Sequence, residues 1–302
     1  MSSVRCAATS LSRNEPILGT ASTVRGYLLV EYAGAWGRDA LRDSRLPDLV
    51  KAHLRRTSRD LGIKALLIRR HERQRVGATG CRVFVAYADP NDPWMQTTEL
   101  GRHQELLDLD LTAFARGTRL GLTAHHDPLL LTCTHGRHDT CCAERGRPIA
   151  KALAVSHPDL SWEVSHIGGD RFAGNMLVLP HGLYYGRVGA AEAVDVATGH
   201  LDGRLTLERL RGRSGYPFAV QAAETYLRKE LGETGLATVR LRDRRRKGDD
   251  WSVDFDVAGR KWRVELRMGI AEPSHLTCTA QRLDAAPTYQ LDGITQIGPA
   301  LS

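Results

Sequence analysis

The sequence predicts an α/β protein that ends in a small antiparallel β region. Strand-like apolar runs alternate with amphipathic helical stretches from residue 24 to residue 231, which is typical of a sheet covered by helices. After Gly232 the pattern changes to the two-residue alternation of half-buried strands, with glycine-containing turns between them. We therefore predict four segments, which are a leader (1–20), an N-terminal α/β unit (21–115), a second α/β unit (116–232) and a C-terminal β region (233–302).

Length and composition favour a soluble protein with a substantial core. At about 150 residues per domain, 302 residues predict two principal domains. No apolar run reaches the roughly 20 residues that a membrane-spanning helix needs, and the N-terminus lacks the features of a signal peptide. We therefore expect a cytoplasmic location. There, the six cysteines are expected to be metal ligands, redox centres or core residues rather than disulfides.

The N-terminal unit is predicted to have the order β-α-β-β followed by a second helix. Strands are expected at 24–31, 63–68 and 81–87, with a helix from Pro47 towards Asp60 and another over 98–115. Cys81 opens a predicted strand and is expected to be a buried structural thiol, whereas Cys6 is expected to be an incidental thiol in a loose leader.

The second unit repeats this order, so an internal duplication is a hypothesis. Its predicted strands lie at 129–132, 162–164, 176–180 and 183–188. One helix is predicted to begin at Pro148, a connecting helix and turn to cover 194–210, and a further helix to cover 216–231. In the C-terminal region we predict strands at 237–242, 251–257, 261–268 and 276–280, with turns at Lys247-Gly248 and Ala258-Gly259. Cys278 falls in the last of these strands as a core or surface thiol.

Two loops that follow predicted strands carry most of the residues suited to bind a metal. The first is Cys-Thr-His-Gly-Arg-His-Asp-Thr-Cys-Cys, from Cys133 to Cys142, and the second runs from Ser165-His166 through Asp170 to Asn175. Thiolate and imidazole ligands together suit zinc and iron–sulfur centres rather than Mg²⁺ or Ca²⁺. The sequence therefore predicts a metal site.

Three chemistries remain open at this site. A [2Fe–2S] cluster needs four protein ligands, and histidine can replace cysteine on one iron. A structural zinc ion could use Cys133, His135, His138 and either Cys141 or Cys142. A thiol-based redox enzyme or sensor could use Cys133 with Cys141 or Cys142, although the chain has no Cys-x-x-Cys motif.

Residues 20–230 resemble the sucrase/ferredoxin-like family. In the second unit the resemblance lies in the Cys133–Cys142 stretch, in Trp-Glu-x-Ser-His-x-Gly-Gly-Asp-Arg-Phe-Ala-x-Asn from Trp162, and in Leu-Pro-x-Gly-Leu-Tyr-Tyr-Gly-Arg-Val from Leu179. In the N-terminal unit it lies in Gly-Tyr-Leu-Leu-Val-Glu from Gly26 and in Trp-Gly-Arg-Asp-Ala-Leu from Trp36. It implies a thioredoxin-like ferredoxin domain at 116–232 that holds a [2Fe–2S] cluster, and it leaves open a thioredoxin-like N-terminal unit. It also implies an electron carrier between a reductase and an acceptor, rather than an enzyme.

The resemblance also implies a ligand set. Thioredoxin-like ferredoxins use a Cys-x8–12-Cys pair followed by a Cys-x3-Cys pair, and the eukaryotic branch of this family has His-x3-His as the second pair. Cys133 and Cys142 match the first pair, and His166 matches the first position of the second. Asp170 occupies the fourth position and departs from both patterns, so Cys141 and His135 remain alternatives to it.

The net charge of +7 suggests an acidic partner. The densest basic run extends from Arg240 to Lys247. A solvated turn between two strands is the ordinary interpretation of such a run, and no aromatic residues interleave with it as a single-strand nucleic-acid binder would require. We therefore expect no nucleic-acid binding, and propose an acidic redox partner as the use of this charge.

Overall fold

The computed structural model describes residues 5–71 and 80–299, which form two β-sheets and seven α-helices. The strands of the large sheet are β1 (Gly26–Glu31), β2 (Lys64–Arg69), β3 (Cys81–Tyr87), β4 (Trp94–Leu100), β5 (Thr123–Ala124), β6 (Leu129–Cys133), β7 (Ser161–Val164), β8 (Met176–Leu179), β9 (Leu183–Tyr185) and β10 (Leu210–Arg213). The C-terminal sheet contains β11 (Val239–Lys247), β12 (Asp250–Val257), β13 (Arg260–Ile270) and β14 (Pro287–Pro299). The helices are α1 (Cys6–Ser12), α2 (Ala40–Asp43), α3 (Asp48–Leu61), α4 (Leu111–Phe114), α5 (Thr140–Ser156), α6 (Ala190–Leu201) and α7 (Phe218–Leu231). The predicted α/β fold with a small antiparallel C-terminal region is confirmed.

The large sheet consists of two halves with the same strand order. The complete order is β10-β9-β8-β6-β7-β2-β1-β3-β4-β5, which is symmetric about the junction between β7 and β2. In each half a helix connects two parallel strands, namely α3 between β1 and β2 and α5 between β6 and β7. Antiparallel strands flank each parallel pair, and the halves join through the antiparallel pair β2–β7. This topology supports the hypothesis of an internal duplication, whereas the domain boundaries stay a prediction.

Helices cover one face of each half of the sheet, and the other faces of the two halves pack together in one shared core, so the parallel strands are buried on both sides. Leu28 and Val30 of β1 are fully buried and share one core with Leu54 of α3. Leu130 of β6 occupies the corresponding core of the second half, together with Leu153 of α5. Continuous burial explains why these strands appear in the sequence as uninterrupted apolar runs.

The helix predicted over 98–115 is wrong. β4 ends at Leu100 and pairs with β3 in an antiparallel register, after which a 3-10 helix spans His103–Asp108 and α4 follows. Leu106 and Phe114 are both fully buried. The leucines therefore belong to three short elements, which are β4, the 3-10 helix and α4, and all three face the same core. Their combined spacing resembles that of a single amphipathic helix.

The start of the first helix in the second unit was also wrongly predicted. α5 begins at Thr140 rather than at Pro148, which lies within the helix. Asp139 caps this helix by accepting a hydrogen bond of 2.9 Å from the backbone N–H of Cys141. The helix and turn predicted over 194–210 correspond to α6, which begins earlier at Ala190 and ends at Leu201, and to the segment that leads into β10.

Three of the four predicted C-terminal strands are confirmed, and the fourth is wrong. Residues 276–280 form turns, and the fourth strand is β14, which pairs with β13. The pairing extends from Ile270 opposite Pro287 to Arg260 opposite Pro299. The sheet packs through Phe255 and Val264 on Val220 of α7, so that helix connects the two sheets. The predicted helix 216–231 is confirmed as α7 with Gly232 as its left-handed C-cap.

The N-terminal segment is ordered where the structure describes it. α1 packs on the 3-10 helix Asp170–Phe172, and Cys6 is almost fully buried, so the expectation of a loose leader with an incidental thiol is wrong for this segment. Within residues 5–71 and 80–299, no helix is long and apolar enough to cross a membrane.

Candidate metal centre

Four side chains predicted as ligands converge at one edge of the large sheet. Cys133 ends β6, Cys142 lies in the first turn of α5, His166 follows β7, and Asp170 begins the 3-10 helix Asp170–Phe172. Because β6 and β7 are parallel neighbours, the loops at their carboxyl ends meet at the same edge. The fold therefore brings two distant stretches of sequence together.

Close backbone packing fixes the position of Cys142 relative to Cys133. A Cβ atom at Gly146 would lie only 2.0 Å from the carbonyl oxygen of Cys133, so α5 can approach the end of β6 only where this helix has no side chain. The Asp139 cap starts the helix immediately before the cysteines. Cys133 and Cys142 are each 1% exposed as a result.

The potential ligand atoms lie within reach of one another. Those of Cys133, Cys142 and His166 are within 4.8 Å of each other. The Cys142 thiol donates to Asp170 Oδ1 over 3.1 Å, and His166 Nδ1 lies 3.0 Å from the same oxygen. The structure therefore groups Cys133, Cys142, His166 and Asp170, and their roles as ligands remain a prediction.

Mutual contacts shift the protonation of these groups. A hydrogen bond from the Cys142 thiol lowers the pKa of Cys133 well below its usual value, and the same pairing raises the pKa of Cys142. Burial lowers the pKa of His166, but Asp170 and the Cys133 thiolate outweigh burial and raise that pKa to about 9. Burial likewise raises the pKa of Asp170, and contact with His166 reverses this effect, so that the pKa is lowered overall. These contacts therefore favour the charged forms of Cys133, His166 and Asp170.

The two alternatives for the fourth ligand lie elsewhere. His135 Nε2 donates to the carbonyl of Gly37 over 2.7 Å, and His135 Nδ1 accepts from the backbone N–H of His166 over 3.2 Å. Both imidazole nitrogens are therefore occupied in supporting the loop. Cys141 Sγ contacts Cys278 Sγ at 3.2 Å, in a group separate from Cys133 and Cys142.

His138, predicted only as a zinc ligand, lies beside two of the grouped residues, and its ligand atom is within 4.8 Å of those of His166 and Asp170. Its ring stacks on that of His166 with centroids 3.7 Å apart, and its Nε2 lies 3.7 Å from Asp170 Oδ2. His138 therefore covers the outer face of His166.

Arg211 is a supporting residue that sequence reasoning missed. This fully buried guanidinium donates to the carbonyl of Gly168 and to Asn175 Oδ1, over 2.9 Å in each case. A Cβ at Gly169, where φ is +80°, would lie 2.3 Å from Arg211 Nη2. Arg211 thus holds the loop that carries His166 and Asp170. No local signal marks it, because it lies on β10, some 40 residues further along the chain.

His166 connects the buried site with the surface. Its side chain is 27% exposed, whereas that of Asp170 is 2% exposed. A cavity of about 370 Å³ adjoins it and is lined in part by Arg38, Arg42 and His138. Of the four grouped residues, His166 is therefore the one that reaches solvent.

The donor set fits a metal of soft or borderline character. Two buried sulfurs and an imidazole are suitable ligands for zinc or iron, and a carboxylate oxygen can complete four-fold coordination. His166 Nδ1 is buried and has no hydrogen bond of suitable geometry despite its short distance to Asp170. Such a nitrogen is available to a metal ion.

A comparison with known protein families supports the resemblance. The model of the family described as sucrase/ferredoxin-like matches residues 17–212, which is more than half of the chain. No curated protein and no solved structure matches the chain. The matched segment includes both loops of the site and the ten strands of the large sheet, and it ends one residue before the end of β10. The chain therefore belongs to the sucrase/ferredoxin-like family.

Proposed function

We propose that the protein is a [2Fe–2S] electron carrier that passes single electrons between a reductase and an acceptor. The observation that carries this proposal is the convergence of Cys133, Cys142, His166 and Asp170 in a member of a ferredoxin-like family. When bound, the cluster supplies reversible one-electron chemistry. The chain supplies the ligands, the low-dielectric surroundings and the route to the surface.

Each side of the site has a distinct part in this proposal. Cys133 and Cys142 provide anionic sulfur and Asp170 provides a carboxylate oxygen on the buried side, and His166 provides nitrogen on the side that reaches solvent. A neutral imidazole in place of a thiolate raises the reduction potential, because it compensates less of the positive charge on iron. Arg211 and His135 keep the His166 loop in place and so preserve the ligand geometry.

The exposed His166 suggests that electron transfer is linked to proton transfer. A ligand imidazole retains one N–H, and partial exposure lets that proton exchange with solvent. The potential is therefore expected to fall with rising pH, since the oxidised centre favours the deprotonated ring. Potentiometry across a pH series tests this dependence.

A zinc-stabilised binding protein is the second candidate, and the spacing of the ligands favours it. The ligand atoms are close enough to surround a single ion, whereas two irons and two sulfides require the cysteine pair and the His166–Asp170 pair to move apart. Zinc would be stoichiometric and redox-silent at this position. It would stabilise the fold without carrying electrons.

Quantification of iron, sulfide and zinc in anaerobically purified and reconstituted protein distinguishes these functions. The electron-carrier proposal predicts two irons and two sulfides per chain with visible absorption that bleaches on reduction. Zinc alone in the Cys133–Cys142 site would establish the second candidate. A loss of two thiols on oxidation, abolished by Cys133→Ser, would instead indicate the thiol-based redox function.

We further propose an acidic protein as the redox partner, in a reducing compartment such as the cytoplasm, where the six free thiols would persist. Arg244 and Lys247 lie on the exposed part of β11, and Arg38 and Arg42 line the cavity next to His166. The transfer rate should fall as ionic strength rises. Charge reversal at Arg38 and Arg42, compared with reversal at Arg244 and Lys247, identifies which surface the partner contacts.

A further inference from the structure

A second group of cysteines lies beside the candidate metal centre but does not belong to it. Cys6 of α1, Cys141 of α5 and Cys278 of the segment before β14 meet although they are distant in sequence. The sulfur of Cys278 lies 3.2 Å from that of Cys141 and 3.5 Å from that of Cys6. Three thiols from three parts of the chain thus share one small volume.

Asp139 completes this group on its inner side. One of its oxygens lies 3.7 Å from Cys6 Sγ, and the ligand atoms of all four residues are within 4.8 Å of one another. Asp139 is 1% exposed, Cys6 1% and Cys141 2%. The backbone N–H of Cys278 donates to Asp139 Oδ2 over 2.6 Å, which fixes the C-terminal segment against the start of α5.

We propose that Cys6, Cys141, Cys278 and Asp139 form a structural zinc site. In a regular tetrahedron with Zn–S bonds of about 2.3 Å, neighbouring sulfurs are about 3.8 Å apart, so the observed group needs shifts of only a few tenths of an ångström to surround an ion. Three thiolates and one carboxylate match the preference of zinc, and four protein ligands leave no open position, as in structural sites. All six cysteines are free thiols, and therefore no disulfide competes for these sulfurs.

The two metal groups are separate because Cys141 and Cys142 are successive residues of a helix. Successive side chains point about 100° apart around a helix axis, so one sulfur faces Cys133 and the other faces Cys278. Zinc at the second group would join α1 and the segment around Cys278 to the start of α5. It would thereby support the turn that carries Cys142.

The test isolates the second group by removing the first. Full-length protein with Cys133→Ser and Cys142→Ser is prepared metal-free under reducing conditions and is then incubated with Zn²⁺ or Co²⁺. We expect one equivalent of zinc per chain, and with Co²⁺ the absorption of a tetrahedral thiolate complex. Adding Cys278→Ser should abolish tight binding, whereas adding Cys81→Ser, which removes a buried thiol of β3, should leave it intact.

If the protein with the added Cys278→Ser change does not fold, thiol alkylation of the doubly substituted protein tests the same site without that change. Zinc should protect Cys278, which is the partly exposed thiol of the group, from alkylation in the doubly substituted protein, as read by peptide mass spectrometry, and a chelator should restore its reactivity. The proposal would be overturned if the protein binds no zinc, or if zinc binding survives Cys278→Ser. It would also be overturned if zinc does not alter the alkylation. Because this protein lacks both cysteines of the first group, these outcomes do not depend on whether the chain carries a [2Fe–2S] cluster.

Discussion

The two halves of the large sheet have the same strand order but different loops at their edges. In the second half, β6 leads into Cys133 and α5 presents Cys142, and the loop after β7 carries His166. In the first half, β1 leads into Tyr32 and a loop with Trp36, and α3 begins after Pro47 without a cysteine. The shared topology supplies equivalent positions, and local side chains decide which half can bind a metal.

The difference also extends to how each half is stabilised. Among the described residues of the first half, the buried polar side chains are the uncharged Ser44, Thr57 and Gln96, and the rest of its core is apolar. The second half adds buried charge, since Glu224 lies between Arg213 and Arg228 at 3.0 and 2.9 Å. A region with both a candidate metal site and a buried ion triad should be more sensitive to single polar substitutions than a region without buried charge.

The largest expected effect is the loss of the metal centre on Cys142→Ser. This change removes one buried sulfur ligand, so we expect essentially complete loss of bound iron and visible absorption. Cys81→Ser is the matched control in the first half, where the thiol lies in β3 away from the site. Iron content that is unchanged in Cys142→Ser protein would contradict the ligand assignment.

The next largest effect is expected from the ion triad. Glu224→Gln leaves two buried guanidinium groups without their carboxylate and should lower the free energy of unfolding by about 3–5 kcal/mol. Glu99→Gln, which removes the exposed partner of Arg82 in the first half, should cost less than about 1 kcal/mol. Urea denaturation of both proteins measures the difference, and equal costs would refute the contrast.

A smaller effect is expected where α5 touches β6. Gly146→Ala forces a methyl group against the carbonyl of Cys133, so we expect a loss of about 2–3 kcal/mol in unfolding free energy and reduced iron retention. Gly199→Ala in α6 is the control, because its Cβ would lie 3.8 Å from the nearest atom outside the helix. That change should stabilise the protein by up to about 1 kcal/mol. Thermal unfolding with iron analysis tests both variants.

The pH dependence of stability should be a smaller effect again, and it also arises in the second half. Burial lowers the pKa of His200 to about 4, and burial together with His200 lowers that of neighbouring His181 to about 3. The unfolded chain therefore binds more protons below pH 6.5, and stability is lost as pH falls from 6.5 towards 4. His200 alone should contribute a loss of about 2 kcal/mol by pH 4.5. His200→Gln should flatten this slope, while His126→Gln at an exposed position should not.

Much of this architecture follows from local sequence patterns. The apolar runs of β1, β2 and β6 and the amphipathic pattern of α7 are local signals, and the structure confirms them. The four grouped site residues were found from ligand chemistry and family resemblance. By contrast, the start of α5 was wrongly predicted at Pro148, because proline is a strong helix-start signal and the true cap, Asp139, lies nine residues earlier.

Residues that act across long sequence separations were missed. Arg211 hydrogen-bonds to the loop of Gly168, and Cys278 meets Cys6 and Cys141, but none of these pairings leaves a pattern within one segment. β14 was misplaced for a similar reason. Its pairing with β13 is determined by the whole C-terminal sheet rather than by the alternation at 276–280.

Pulsed EPR of the reduced protein, produced with ¹⁵N-labelled histidine, tests the central claim most directly. If Cys133, Cys142, His166 and Asp170 hold a [2Fe–2S] cluster, the spectrum should contain a strong ¹⁵N hyperfine coupling from a single histidine. That coupling should disappear in His166→Cys protein that still retains its iron and sulfide. A paramagnetic centre without nitrogen coupling, or a coupling that persists after His166→Cys, would contradict this account of the site.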